Sequence, residues 1–301
     1  MLPDYLAKAR PNPATQRAPW YKNTAPTYAG IFLWIAFYNS IADGTITRGS
    51  LALCLLALAA AGLLSYALYY LVPAMLGMKT GYPLYVVGSS TFGTRGGYVM
   101  PGLLMGLLQV GWLGVGTFFA TKFILSALGM EARPGTLPFI VTGTIWGYVM
   151  AWIGVMGLQY VARVATFLNF IPLVMILVVF AKVAPGIPAH VPSDPNPFVA
   201  FTLLLQIVIG FFATAGAAGA DFGSNSRHAS DVRWGGIVGI VAAVLIAGGL
   251  PLLSVAGARV LMPNVQSYNY DAVVAGIGGP MATAMFVFFT LASVPPACFS
   301  S

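Results

Sequence analysis

The sequence is dominated by about eight long apolar runs, which short polar or proline-containing breaks separate. A helix needs about 20 apolar residues to cross the hydrocarbon core of a bilayer, and these runs have that length. Hydrophobic residues make up 58% of the 301 residues and charged residues only 7%, against about 25% in a soluble domain. The pattern excludes a water-soluble globular domain and predicts an all-α polytopic membrane protein.

Polar residues, prolines and glycines mark the ends of the predicted membrane helices. An N-terminal arm, 1–26, is polar, contains several prolines and does not resemble a signal peptide. A proline-rich loop, 184–196, lies between helices five and six. Helices one to eight are predicted at 27–46, 50–77, 98–127, 136–158, 161–183, 197–222, 235–261 and from 272 to the end of the chain.

The basic residues predict the orientation of the chain in the membrane. With these helices, nine of the 14 Lys and Arg residues fall on the side of the N-terminal arm. Because cytoplasmic loops are enriched in basic residues, we expect the N-terminus in the cytoplasm. The nine are Lys8, Arg10, Arg17, Lys22, Lys79, Arg95, Arg163, Arg227 and Arg233. The other side receives Arg48, Lys122, Arg133, Lys182 and Arg259.

Helix six contains the glycine-rich stretch GFFATAGAAGADFG. Unwound backbone is tolerated at membrane depth where it faces protein or a water-filled cavity, so we expect a binding site on this helix. Five helices before 184–196 and three after it fit two inverted five-helix repeats, with helix six as the counterpart of helix one. The predicted first repeat is 27–183, and 197–301 is an incomplete second repeat.

The motifs do not predict an enzyme, a cofactor or a nucleic-acid site. His190 and His228 are predicted in loops on opposite membrane faces, where they cannot share a zinc site or a Ser-His-Asp group. The basic residues are scattered and form no patch with interleaved aromatic residues. We therefore predict no catalytic residue and no nucleic-acid partner.

Asp43 and Asp221 are the carboxylates nearest the predicted membrane interior. Acids inside a membrane are costly and usually functional. Each lies near the end of its helix, however, where water and Arg48 or Arg227 could solvate it. A structural role and a functional role both stay open for these two residues.

An amide and an indole lie one turn apart on helix three. Gln109 precedes Trp112, and this pairing can orient a flat heterocycle by hydrogen bonding and stacking. From spacing alone, Trp112, Phe211 and Phe212 could equally be lipid-facing or core residues.

Three segments resemble the cytosine permeases of the nucleobase-cation symporter family. They are QVGWLGVG at 109–116, KTGYPLYVVGSSTFGTRGGYVMPGLL at 79–104 and GFFATAGAAGADFGSNSR at 210–227. The resemblance implies an inverted five-helix-repeat transporter of the amino acid-polyamine-cation superfamily type in the bacterial inner membrane. Its expected activity is uptake of a nucleobase by cation-coupled symport with alternating access.

The resemblance also implies roles for particular residues. Trp112 and Phe212 would be the aromatic walls that sandwich the base, and Gln109 would hydrogen-bond its edge. Phe211 and Thr214 occupy positions where cytosine permeases carry small hydroxyl residues. Thr214 keeps the hydroxyl and Phe211 does not, which keeps open a purine, hydantoin, allantoin or thiamine-like ligand.

The expected coupling ion is sodium or a proton. In this family a sodium ion lies between carbonyl groups of helix one and hydroxyl groups of helix eight, which implies ligands at Ala36, Asn39 and Ser293. Ala292 lacks the second hydroxyl, and residues 294–296 replace a polar run. The matching part of helix one has no glycine or proline that would force it to unwind.

Two further classes of protein stay open. The final residues ACFSS end the chain inside an apolar run, which predicts truncation within helix eight and would fit a non-transporting membrane subunit or sensor. A membrane enzyme would need a set of catalytic residues that the sequence does not supply.

Overall fold

The computed structural model describes residues 3–155, 168 and 170–294, which are almost entirely helical. The α-helices are α1 Asp4–Ala7, α2 Thr24–Phe32, α3 Ile35–Tyr38, α4 Leu51–Leu64, α5 Leu71–Thr80, α6 Leu84–Val87, α7 Ser89–Tyr98, α8 Met105–Ala127, α9 Leu137–Val155, α10 Phe170–Val183, α11 Pro197–Ala217, α12 Gly219–Ser224, α13 Ala229–Gly236, α14 Ala243–Leu261, α15 Tyr270–Ile277 and α16 Gly279–Ala292. Three π-helical turns, Ser65–Tyr70, Val99–Leu104 and Ile237–Ala242, join neighbouring α-helices into longer ones. Short 3-10 helices cover Ala14–Gln16, Trp20–Lys22 and Ala184–Ala189.

In the described residues, six helices are long and apolar enough to cross a membrane. They are Leu51–Thr80, Ser89–Ala127, Leu137–Val155, Phe170–Ala189, Pro197–Ala217 and Ala229–Leu261, and α16 is a shorter apolar helix. These correspond to predicted helices two to seven. An all-α, multi-pass membrane protein is therefore confirmed.

Helix one is not the continuous helix that the sequence predicts. After α2 the chain becomes extended at Trp34, whose φ is −74° and ψ is 130°, and it returns to a helix in α3. No proline marks the break. The carbonyl of Trp34 accepts the N–H of Phe37 at 2.9 Å, in the first turn of α3. Residues 39–48 form turns.

The other boundaries differ from the prediction for local reasons. Predicted helix eight is divided at Gly278, whose φ of +68° is accessible mainly to glycine. Helix three extends before residue 98, since the π-helical turn Val99–Leu104, which contains Pro101, joins α7 to α8. Within α7 the chain kinks at Gly93, whose φ of 71° and ψ of 174° are not helical. The predicted segments 156–158, 161–167 and 295–301 lie outside the described residues.

The chain divides into two compact units. The first unit consists of Met1–Ala29, Ala59–Leu108 and Leu205–Val244, and the second of Gly30–Leu58, Gln109–Leu204 and Leu245–Ser301.

In the first unit, α5 and α12 approach so closely that only glycine fits between their backbones. A Cβ atom on Gly77 would collide with the carbonyl of Ala220, and one on Gly223 would collide with the carbonyl of Ala74. Such contacts between small residues are the usual way for helices to pack in a membrane. The N-terminal arm is bonded to this unit, because Arg17 donates to the carbonyl of Met78 at 2.7 Å.

In the second unit, α15 is anchored by hydrogen bonds, an ion pair and aromatic contacts. The carboxylate of Asp271 is buried and pairs with Lys122 on α8. The ring of Tyr270 meets the ring of Tyr38 edge to face, with centroids 5.2 Å apart. The core continues through Phe123, which lies 5.6 Å from Phe289 on α16.

Candidate functional site

Helix six, predicted as continuous over 197–222, is interrupted inside its glycine-rich stretch, where the sequence allows unwinding. The helix α11 ends at Ala217, Ala218 has non-helical backbone angles, and α12 begins at Gly219. The last carbonyl groups of a helix have no partner within it. One of them, on Ala215, accepts a hydrogen bond of 3.1 Å from the hydroxyl of Tyr28.

Tyr28 is the centre of a buried aromatic cluster beside this break. Its side chain is fully buried, and its ring centroid lies 4.7 Å from Phe222, 5.3 Å from Tyr70 and 5.4 Å from Phe212. The sequence did not indicate Tyr28, because no spacing pattern connects a residue at the start of helix one with helix six. A tyrosine in a predicted membrane helix is only a weak signal.

The three predicted substrate residues of helix six lie in the first unit and differ in burial. Phe212 is fully buried, on the same helical face as Val208. Gly216, one turn later, leaves room for the Phe212 ring, since a Cβ atom there would lie 3.0 Å from Cε1 of Phe212. Phe211 and Thr214 are half-buried and, three residues apart, share a different face.

The predicted residues of helix three lie in the second unit, on α8. Gln109 and Trp112 are both half-buried. The indole of Trp112 has its centroid 5.9 Å from that of Trp34, with the ring planes inclined at 60°. Trp34 is the extended residue at the break in helix one, and the sequence did not indicate it because nothing in the local sequence marks the break.

The three predicted cation ligands also lie in the second unit. Ala36 is half-buried on α3, and Ser293 is buried at the end of α16, where its hydroxyl donates to the carbonyl of Phe289 at 2.9 Å. Asn39 is hydrogen-bonded to the start of α15. Its main-chain carbonyl accepts the N–H of Tyr270 at 2.8 Å, and its side-chain Oδ1 accepts the N–H of Asp271 at 2.9 Å.

The carboxylates do not have the partners that the sequence suggested. Arg48 lies 3.7 Å from Asp194 and Arg227 lies 3.3 Å from Asp231. Asp43 is exposed. These arginines pair with acids of the neighbouring loop or helical turn.

Asp221 lies on α12, after the apolar helix Pro197–Ala217, and has a structural partner of its own. Its Oδ1 atom accepts the N–H of Leu84 at 2.7 Å, at the start of α6. Burial raises the pKa of Asp221, and the hydrogen bond from Leu84 opposes that rise. The carboxylate therefore joins α12 to α6.

Comparison with known sequences gives a partial match. The cytosine permease of Escherichia coli O157:H7 is 30% identical over 162 residues, which are 51% of this chain and 36% of the relative. The cytosine permease of Escherichia coli strain K12 matches with the same identity and coverage. The match therefore spans about a third of the length of these relatives. No protein-family model matches the sequence.

Comparison with solved structures covers nearly the whole chain. Mhp1, a nucleobase-cation-symport-1 family transporter, in a closed conformation with bromovinylhydantoin bound, superposes with a TM-score of 0.71 at 19% identity, over 95% of this chain and 67% of Mhp1. The chain has the fold of Mhp1. The inward-facing conformation of Mhp1 gives a TM-score of 0.70 at 18% identity, over 96% of this chain and 66% of that one. The predicted transporter fold and the predicted resemblance to cytosine permeases are both confirmed.

Proposed function

We propose that this protein is a membrane transporter that takes up a nucleobase by cation-coupled symport. The observation that carries the proposal is the 30% identity with cytosine permeases over half of the chain. The fold agrees with it, because inverted-repeat transporters bind their substrates near the midplane, beside interrupted helices. Helices one and six are both interrupted here.

The proposed substrate contacts come from helices three and six. Trp112 and Phe212 offer aromatic rings on which a base can stack. Gln109 and the hydroxyl of Thr214 offer hydrogen bonds to its edge. Phe211 shares a helical face with Thr214 and adds apolar surface.

The proposed coupling ion is sodium or a proton. Backbone carbonyl groups at Ala36 and Asn39 and the hydroxyl of Ser293 are oxygen ligands of the kind that a hard cation prefers. An ion that orders helix one against helix eight would favour the substrate-competent state, and substrate would favour ion binding in return. We place the protein in the inner membrane with its N-terminus in the cytoplasm, and we propose repeats at 27–183 and 197–301.

A second candidate is uptake of another heterocycle by the same mechanism. Mhp1, with the same fold, holds bromovinylhydantoin. Phe211 also departs from the hydroxyl residue of cytosine permeases. A larger apolar residue there changes the shape of a pocket and the hydrogen bonds that it offers.

Binding of tritiated cytosine to the purified protein, with and without sodium, tests the proposal. Saturable binding that Trp112→Ala abolishes is the expected result, because the indole supplies a stacking surface. Competition by unlabelled adenine, hydantoin and allantoin separates the two candidates. A folded protein that binds cytosine and all three competitors no better than a membrane protein of unrelated function contradicts both candidates.

A further inference from the structure

Trp34 carries a buried hydrogen-bond donor that the proposed mechanism has not used. The residue is only 4% exposed, and its indole Nε1–H group has no acceptor among the described residues. Native proteins pair nearly all of their buried donors, so this indole N–H is available to an acceptor that the described residues do not supply.

The position of Trp34 explains how such a donor is held. Trp34 stands between α2 and α3, and its own carbonyl accepts the N–H of Phe37 at 2.9 Å. Across the break, the rings of Phe32 and Phe37 meet edge to face with centroids 5.0 Å apart. These contacts hold the backbone on both sides of Trp34 in place, which fixes the position from which its side chain extends.

The neighbour of Trp34 is the residue proposed to stack on the base. The centroids of Trp34 and Trp112 are 5.9 Å apart, and their planes are inclined at 60° rather than stacked. Trp112 is half-buried and Trp34 is buried. A heterocycle stacked on the Trp112 ring would therefore lie close to the second indole, and the hydrogen-bonding groups of a base lie along its edge.

We propose that the indole N–H of Trp34 is a specificity-determining donor, which pairs with an acceptor on the edge of the transported heterocycle. This inference rests on the proposed function. The ligand class is a flat heterocycle with a carbonyl oxygen or an unprotonated ring nitrogen, as found in pyrimidines, purines and hydantoins. A site with a buried donor rejects analogues that lack the matching acceptor, since the donor is then left unpaired.

The test compares Trp34→Phe with a matched control, Trp146→Phe. Both changes remove an indole N–H and keep an aromatic ring. Trp146 also has a buried N–H without an acceptor in the described residues, but it lies on α9 and packs against Met150. Saturation binding of tritiated cytosine gives the Kd and the number of binding sites separately. Incomplete folding lowers the number of sites but leaves the Kd unchanged.

Two analogues identify the acceptor by a double-mutant cycle between residue and ligand. In 2-thiocytosine a sulfur replaces the carbonyl oxygen, and in 3-deazacytosine a carbon replaces the ring nitrogen. We expect Trp34→Phe to raise the Kd for cytosine about three- to tenfold, the factor for one lost hydrogen bond. For the analogue that lacks the acceptor, the wild-type Kd should exceed the Kd for cytosine by the same factor, and Trp34→Phe should raise the Kd of that analogue no further. Trp146→Phe should bind cytosine with the wild-type Kd.

Failure of the proposed role of Trp34 and failure of the proposed function give different results. If Trp34→Phe binds cytosine as the wild type does, or weakens cytosine and both analogues by the same factor, the indole N–H does not contact the ligand. If the wild-type protein binds neither cytosine nor adenine, hydantoin or allantoin, the proposed function fails and the role of Trp34 fails with it.

Discussion

Asn39 is the residue whose predicted role and observed contacts differ most. The resemblance implies a cation ligand, whereas both of its oxygen atoms accept N–H groups at the start of α15. A carbonyl oxygen has a second lone pair, so the two roles are compatible. The two roles have different consequences for stability, because the hydrogen bonds from Asn39 to α15 stabilise the fold whether or not an ion is present.

We expect Asn39→Ala to lower the free energy of unfolding by about 1–3 kcal/mol, since the buried N–H of Asp271 would lose its acceptor. Ser40→Ala is the control, because the Ser40 hydroxyl bonds to Asn269 in an exposed position, and it should change stability by less than about 0.5 kcal/mol. Unfolding by lithium dodecyl sulfate in mixed micelles, in buffers without sodium, measures both. Equally small changes in the free energy of unfolding for both variants would show that the hydrogen bonds of Asn39 to α15 do not stabilise the fold.

At the scale of elements, the contact between α5 and α12 shows how glycine determines helix packing. The two helices touch through Gly77 and Gly223, each against a backbone carbonyl. This contact holds the second half of helix six, beyond the break, against helix two. Not every glycine has this role: a Cβ atom on Gly111 of α8 would meet nothing within 4 Å.

Gly77→Ala is expected to destabilise the protein by about 1–3 kcal/mol, because the added methyl group would push α5 away from α12. The same substitution at Gly111 is expected to be neutral or stabilising by up to about 1 kcal/mol, since alanine is the better helix former. The difference between the two midpoints of thermal unfolding in detergent checks this. A loss at Gly111 as large as that at Gly77 would contradict it.

The sequence predicted the elements that depend on local composition and missed those that depend on tertiary contacts. Helices two to seven follow from uninterrupted apolar runs. The glycines of helix six permit its break but did not predict it. The break at Trp34 has no local marker, because it is stabilised by contacts such as the one between Phe32 and Phe37. The contacts of Trp34 and of Tyr28 have no marker in the sequence for the same reason.

At the scale of the molecule, two kinds of comparison support the account. Similarity to cytosine permeases covers half of the chain, and the fold of Mhp1 covers 95% of it. Mhp1 is known in closed and inward-facing conformations, as alternating access requires. Alternating access couples two gradients only if ion and substrate favour the same conformation.

Uptake of tritiated cytosine into proteoliposomes, with an inward sodium gradient, an inward proton gradient or neither, tests this coupling most directly. Cation-coupled symport predicts saturable uptake that one of the two gradients stimulates and that Trp112→Ala abolishes. Saturable uptake at the same rate under all three conditions, or no uptake above that of empty liposomes, would contradict cation-coupled symport of cytosine.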